Sequence, residues 1–217
     1  MKKSYDYLLF DLDGTLTDSA RGIMNGFAYA IEKLGGQAVD KSVLRTFIGP
    51  PLRVSFGETL GYSPEDVRRA VVFYREYYDE QGGAFENSVY PGVEQLLGEL
   101  KESGKKLVLA TSKSIRAASA VLEHFDLMKY FDVVATAHDQ LRLCKADVIR
   151  YAFEQAGVAN PARAIMIGDR DNDIIAAKEV GIDSVGVLYG YGDKSELETA
   201  GATYLAEDVD ALRALLM

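Results

Sequence analysis

The chain has 217 residues, 48% of them hydrophobic, which suffices for one large domain, or a domain with a smaller one attached, whose core needs no disulfide. Its single cysteine, Cys144, has no internal partner, and a formal net charge of -9 sets the chain against a polymeric phosphate backbone, which argues against nucleic acid as a partner. No apolar run approaches the roughly 20 residues of a membrane span, and the start MKKSYDYLLFD, with Asp6 and Asp11 around a short apolar run and no small-residue cleavage site, does not read as a signal peptide; a cytoplasmic protein without a membrane partner is expected.

Residues 5–10, YDYLLF, read as a strand. Ile23, Phe27, Ile31 and Leu34 then recur at helical spacing until Gly35-Gly36. A second helix is expected over Lys41–Phe47, a break at IGPPL (48–52), and a third helix over Leu52–Leu60. Ser63 caps a further helix that opens on Pro64 and runs through SPEDVRRAVVFYREYYDE. Residues 17–84 are thus expected to hold helices and no strand.

Past Tyr90-Pro91-Gly92 the rhythm changes. Val93, Leu96, Leu97 and Leu100 form a helix stripe that Gly104 stops. Strands are expected at 106–111, 131–136, 163–169, 183–188 and 203–206. Helices are expected between and after them, at 115–125, 145–156, 172–180, 193–200 and 208–216. This alternation, with near-continuous apolar strands, predicts an α/β fold: a Rossmann-like parallel sheet flanked by helices. The core comprises 1–16 and 85–217, and an all-helical cap domain, 17–84, is inserted into it.

Ligands bind such a sheet at the carboxyl ends of its strands. There the chain places Asp11 and Asp13, then Thr111, Ser112 and Lys113, then Asp169 followed by Asp171 and Asp173, while Lys145 opens a helix. Carboxylates so close need neutralising. Mg²⁺ suits the task, because it takes oxygen ligands and bridges to phosphate.

DLDGTLTDS, VLATSK, Lys145 and GDRDND resemble the four motifs of the haloacid dehalogenase-like (HAD) hydrolase superfamily. The insert directly after the first motif is similar to that of the helical-cap subclass. IGPPL, YREYY, YPGV and TSK look most like the phosphoglycolate phosphatase and 5′-nucleotidase-like branch. The resemblance implies an Mg²⁺-dependent phosphatase of small phosphate monoesters. In it Asp11 is the nucleophile that forms a phosphoaspartyl intermediate, and Asp13 is the acid and base. Asp11, Asp169, Asp173 and the Asp13 carbonyl are implied metal ligands, Asp173 directly or through a water. Thr111 and Lys145 bind phosphoryl oxygens, with Ser112 and Lys113 beside them. Gly14 and Thr15 are expected to turn amide N–H groups toward the phosphate. Arg53, after IGPPL, is a candidate contact for a second anionic group. A phosphomutase of sugar phosphates and a non-catalytic regulatory binding module are the alternatives; a dehalogenase would not need the acid Asp13. The expected partner is a small phosphorylated metabolite, and the expected assembly a monomer, with a homodimer as the alternative.

Plainer roles suit other residues. Cys144 is a filler cysteine, His124 and His138 lack metal-ligand spacing, and FYREYY (73–78) packs the cap. Asp171 opens a helix. YGYG (189–192) lacks the Lys-Ser/Thr ending of a phosphate loop and reads as a turn. Arg21 and Ser114 stand where relatives often have proline, and Arg21 weakens any transfer of substrate choice.

Overall fold

The computed structural model describes residues 3–138 and 140–217. β1 (Tyr7–Phe10) leads through a turn to the two-residue β2 (Thr17–Asp18). α1 (Ala20–Lys33), α2 (Lys41–Arg45), α3 (Leu52–Val54) and α4 (Pro64–Arg75) follow. β3 (Ser88–Val89) pairs with β2 in a separate ribbon. Then come α5 (Val93–Glu102), β4 (Lys106–Ser114), α6 (Ile115–His124), β5 (Val133–Ala137) and α7 (Lys145–Ala156). β6 (Ala164–Gly168), α8 (Asp171–Val180), β7 (Asp183–Val187), α9 (Lys194–Ala200), β8 (Tyr204–Ala206) and α10 (Val209–Leu216) complete the chain.

The chain divides into two compact units, Met1–Thr17 with Val89–Met217, and Asp18–Ser88. In the first, six parallel strands run in the order β5-β4-β1-β6-β7-β8. Leu9 pairs with Val108 on one side and Met166 on the other. Leu8, Leu9 and Phe10 are fully buried, as a strand covered on both faces requires. One face packs Leu9, Val108 and Met166 against Val148, Ile149 and Ala152 of α7 and Ala176 and Ala177 of α8. Each of the Leu, Val, Ile and Met side chains among these contributes roughly 1.5–3 kcal/mol by leaving water. The order reverses around β1, so the ends of β4, β1 and β6 lie side by side at the switch point where such sheets bind ligands.

The second unit closes around aromatics. Phe27 of α1 lies 4.9 Å from Phe47, 4.8 Å from Phe56 and 5.1 Å from Tyr74, centroid to centroid. Tyr74 stacks on Tyr78 at 5.3 Å. The FYREYY stretch therefore packs its own unit through these two rings. Ser63 caps α4 by accepting from the Asp66 N–H at 3.1 Å, with Pro64 at its first position.

Several boundaries differ from expectation. β1 starts at Tyr7 rather than residue 5, although the Asp6 N–H and C=O still bond to Arg163 and Lys106 on either side. β4 continues past Thr111 to Ser114, with its register against β5 shifted between those two residues. The helix expected over Leu52–Leu60 is α3 continued by a wider π-helical turn, Ser55–Thr59. α4 likewise passes at Glu76 into a π-helical turn, Glu76–Glu80. These turns carry Phe56 and Tyr78 into the aromatic centre. The short β2 falls at the start of the 17–84 stretch expected to hold no strand, and β3 lies just after its end.

Candidate active site

Asp11 leaves the end of β1 with its N–H bonded to the Ile167 carbonyl of β6 at 2.9 Å. That bond extends the ladder and fixes the side chain at the sheet edge. Asp169 follows β6 directly, and Asp173 occupies the first turn of α8. All three carboxylates are buried, Asp169 and Asp173 completely, and one oxygen of each lies within 4.8 Å of the other two. α7 brings in the compensating charge. The Lys145 ammonium sits 2.9 Å from Asp11 Oδ1, 2.8 Å from Asp173 Oδ1 and 2.9 Å from the Ala110 carbonyl.

The electrostatics follow from that crowding. Burial, then the Asp173 and Asp11 charges, push the Asp169 carboxyl well above the usual range. Burial pushes Asp173 up to about 6, with Lys145 pulling it down and Asp11 pushing it further up. Burial disfavours the Lys145 charge, but Asp11 and Asp173 outweigh it and hold the ammonium protonated more firmly than a free lysine. Three carboxylates facing one ammonium leave the cluster anionic when all are ionised. The donors are hard oxygens, and Asp13, two residues after Asp11, has its Oδ1 buried without a hydrogen-bond partner. This set fits a divalent cation of the Mg²⁺ kind.

Asp13 pairs through Oδ2 with the Lys113 ammonium at 2.8 Å. The extension of β4 beyond Thr111 carries Ser112 and Lys113. Thr111 is buried, and its hydroxyl accepts from the Lys113 N–H at 3.2 Å. Gly14 and Thr15 behave differently from expectation. The Gly14 N–H bonds to the Thr17 carbonyl at 2.8 Å and the Thr15 N–H to the Leu12 carbonyl at 3.3 Å, so both amides serve the turn itself. The need for glycine lies elsewhere. Gly14 has φ +80°, and a Cβ there would meet Asp169 Oδ2 at 2.1 Å. The Thr15 hydroxyl faces Asp169 Oδ1 at 3.3 Å.

Arg53 is exposed on α3 in the helical unit. Arg21, also in that unit, lies 3.8 Å from Glu86. Asp171 is exposed, and its N–H is held by Glu196 at 2.9 Å. Cys144 is exposed before α7, its thiol 3.2 Å from Asp147. The residues that pattern reading missed are Tyr189 to Gly192, which pack on Asp169. Their Gly-Tyr-Gly composition is a visible signal, but its target comes from the pairing of β7 with β6.

Comparison with known proteins agrees with this geometry. The sequence model of the haloacid dehalogenase-like hydrolases matches residues 8–187. A 5′-nucleotidase of Pseudomonas aeruginosa is 37% identical, the match covering 98% of this chain and 96% of that protein. The tyrosine-protein kinase PtkA of Mycobacterium tuberculosis is also 37% identical, over 99% of this chain and 73% of its own length. A solved structure from Clostridium acetobutylicum, described as a predicted phosphatase, is 45% identical with a TM-score of 0.93, covering 97% of both chains.

Proposed function

The chain belongs to the haloacid dehalogenase-like hydrolases, and from that premise we propose that it is a Mg²⁺-dependent phosphatase of small phosphate monoesters, of the phosphoglycolate or 5′-nucleotide kind. The observation that carries the reading is the buried Asp11, Asp169 and Asp173 cluster, with Lys145 inside it and Asp13 two residues from Asp11. Asp11, Asp169, Asp173 and the Asp13 carbonyl are the residues that would hold the cation. When bound, the cation supplies charge neutralisation for the carboxylates and for the phosphoryl group.

Asp11 is the nucleophile in this reading. A carboxylate oxygen attacks phosphorus and the P–O bond to the leaving alcohol breaks, giving a phosphoaspartyl group. Asp13 donates its proton to the departing alkoxide. It then takes a proton from the water that attacks phosphorus, which releases inorganic phosphate and restores Asp11. Thr111, Ser112 and Lys145 hold phosphoryl oxygens as negative charge shifts among them. Lys113 steadies Asp13 near the bond being cleaved. The α/β unit holds the chemistry.

The test is inorganic phosphate release from a panel containing phosphoglycolate, 5′-nucleotides, sugar phosphates and phosphotyrosine, each with Mg²⁺ and with chelator. Release that needs Mg²⁺ is expected, and the ranking by kcat/KM names the leaving group. Isomerised sugar phosphate in place of free phosphate would point to a mutase. No turnover with any compound would refute the reading.

A further inference from the structure

Asp169 is enclosed by a second loop in which the proposed reaction places no group. The turn after β7, Tyr189-Gly190-Tyr191-Gly192, lies against it through Gly190, Tyr191 and Gly192. The Tyr191 N–H donates to Asp169 Oδ2 at 2.9 Å. At Gly190 a Cβ would stand 2.3 Å from the Asp169 Cβ and 2.4 Å from the Gly14 carbonyl oxygen. At Gly192 it would stand 2.1 Å from the Asp169 carbonyl oxygen. Real Cβ atoms do not approach so closely, so both positions admit only glycine unless the backbone moves. Asp169 is thus clamped between two glycine surfaces, Gly14 from the first turn and Gly190 from the last.

Tyr189 ties the clamp together. Its hydroxyl donates to the Thr15 carbonyl at 3.0 Å, and its ring meets Tyr90 edge to face at 5.0 Å. The Tyr90 N–H in turn bonds to the Leu16 carbonyl at 3.1 Å. Thr15 also supplies the hydroxyl on the other Asp169 oxygen. One tyrosine therefore fixes the spacing between the turn that gives Asp169 Oδ1 its donor and the turn that gives Oδ2 its donor.

We infer that the Tyr189–Gly192 turn is a positioning device for Asp169: it sets the direction of that carboxylate toward the cation, and Tyr189 locks the turn to the Gly14-Thr15 loop. The inference rests on the cation-site reading above and assigns this turn a purpose within it. Without the lock, Asp169 keeps its backbone place but loses its fixed orientation, and orientation of a buried ligand governs affinity for a cation with demanding geometry.

The experiment measures Mn²⁺ binding to the full chain by the loss of the free-ion electron paramagnetic resonance signal, beside metal-free thermal unfolding. Tyr189→Phe keeps the ring against Tyr90 and removes only the hydroxyl. It is expected to weaken Mn²⁺ binding about tenfold, the scale usual for a residue that orients a metal ligand, while the metal-free Tm stays close to that of the wild type. The Mg²⁺ concentration that half-saturates turnover is expected to rise in parallel. Gly190→Ala is expected to weaken binding further, and its metal-free Tm shows whether the fold persists. Tyr189→Phe binding within twofold of the wild type, beside a wild type that binds well, would overturn the inference and leave the cation site standing. A wild type that binds no Mn²⁺ would overturn both.

Discussion

Lys145→Met would test whether one buried ammonium holds the carboxylate cluster together. Methionine keeps the four-atom apolar stem of lysine and lacks only the terminal ammonium, so the packing change is small and the lost charge dominates. The wild-type ammonium stands within 2.9 Å of both Asp11 and Asp173, and its side chain is only 2% exposed. Removing one member of a buried pair typically costs about 3–5 kcal/mol, because the remaining charge has neither water nor partner. For a chain of this size that corresponds to roughly 6–20 °C in Tm. The deficit has a required pH dependence. Asp173 is held at about 6 with Lys145 present, and without that ammonium it must rise further. A carboxyl whose folded pKa is raised supports the fold below its unfolded pKa, and that support is lost as pH rises through the folded value. The Tm gap between wild type and variant, followed by circular dichroism in chelator, should therefore be wider at pH 8 than at pH 5. A gap under about 1 kcal/mol at pH 8, or one that narrows as pH rises, would refute the reasoning.

Mg²⁺ should stabilise the wild type by about 2.7 kcal/mol at one hundred times its dissociation constant. By the same proton competition at Asp169 and Asp173, the Tm increase should be larger at pH 8 than at pH 5.5; an equal increase at both would detach the cation from these carboxylates. Asp11→Asn should abolish phosphate release in the panel assay while the metal-free Tm holds or rises, since one buried charge is gone; residual turnover would reject Asp11 as nucleophile. Phe27→Ala should cost about 3–5 kcal/mol in urea unfolding, because Phe27 is fully buried among Phe47, Phe56 and Tyr74. A loss under about 1 kcal/mol would mean that the helical unit does not depend on this centre.

The α/β plan was legible because its signals are local. Strands such as KLVLA are apolar on both faces, and glycines follow the helices at positions such as Gly157 and Gly181, both at positive φ. The gathering of Asp11, Asp169, Asp173 and Lys145 was legible one step further, since parallel topology sends all four to one edge. Long-range pairing hid the rest. The register shift that carries β4 to Ser114 exists only against β5. The π-helical turns at Ser55 and Glu76 deliver Phe56 and Tyr78 to a centre assembled from distant segments. Tyr189–Gly192 reads correctly as a turn, but only the neighbouring places of β6 and β7 show that it closes on Asp169.

The sheet order also explains why such a site is tolerable. Neighbouring parallel strands run about 4.8 Å apart, so acidic residues leaving β1 and β6 must crowd each other. α8 starts at this edge, and the positive end of its helix faces Asp173 through the Arg170 N–H at 3.2 Å. α7 starts with Lys145, which supplies a full positive charge inside the carboxylate cluster. These contributions keep the fold stable without removing the remaining negative charge. A neutral residue at Asp11, Asp169 or Asp173 would relieve repulsion and would also remove the attraction that draws in a cation. The unliganded site is therefore held short of its own stability optimum, and the same imbalance gives it affinity for a divalent ion.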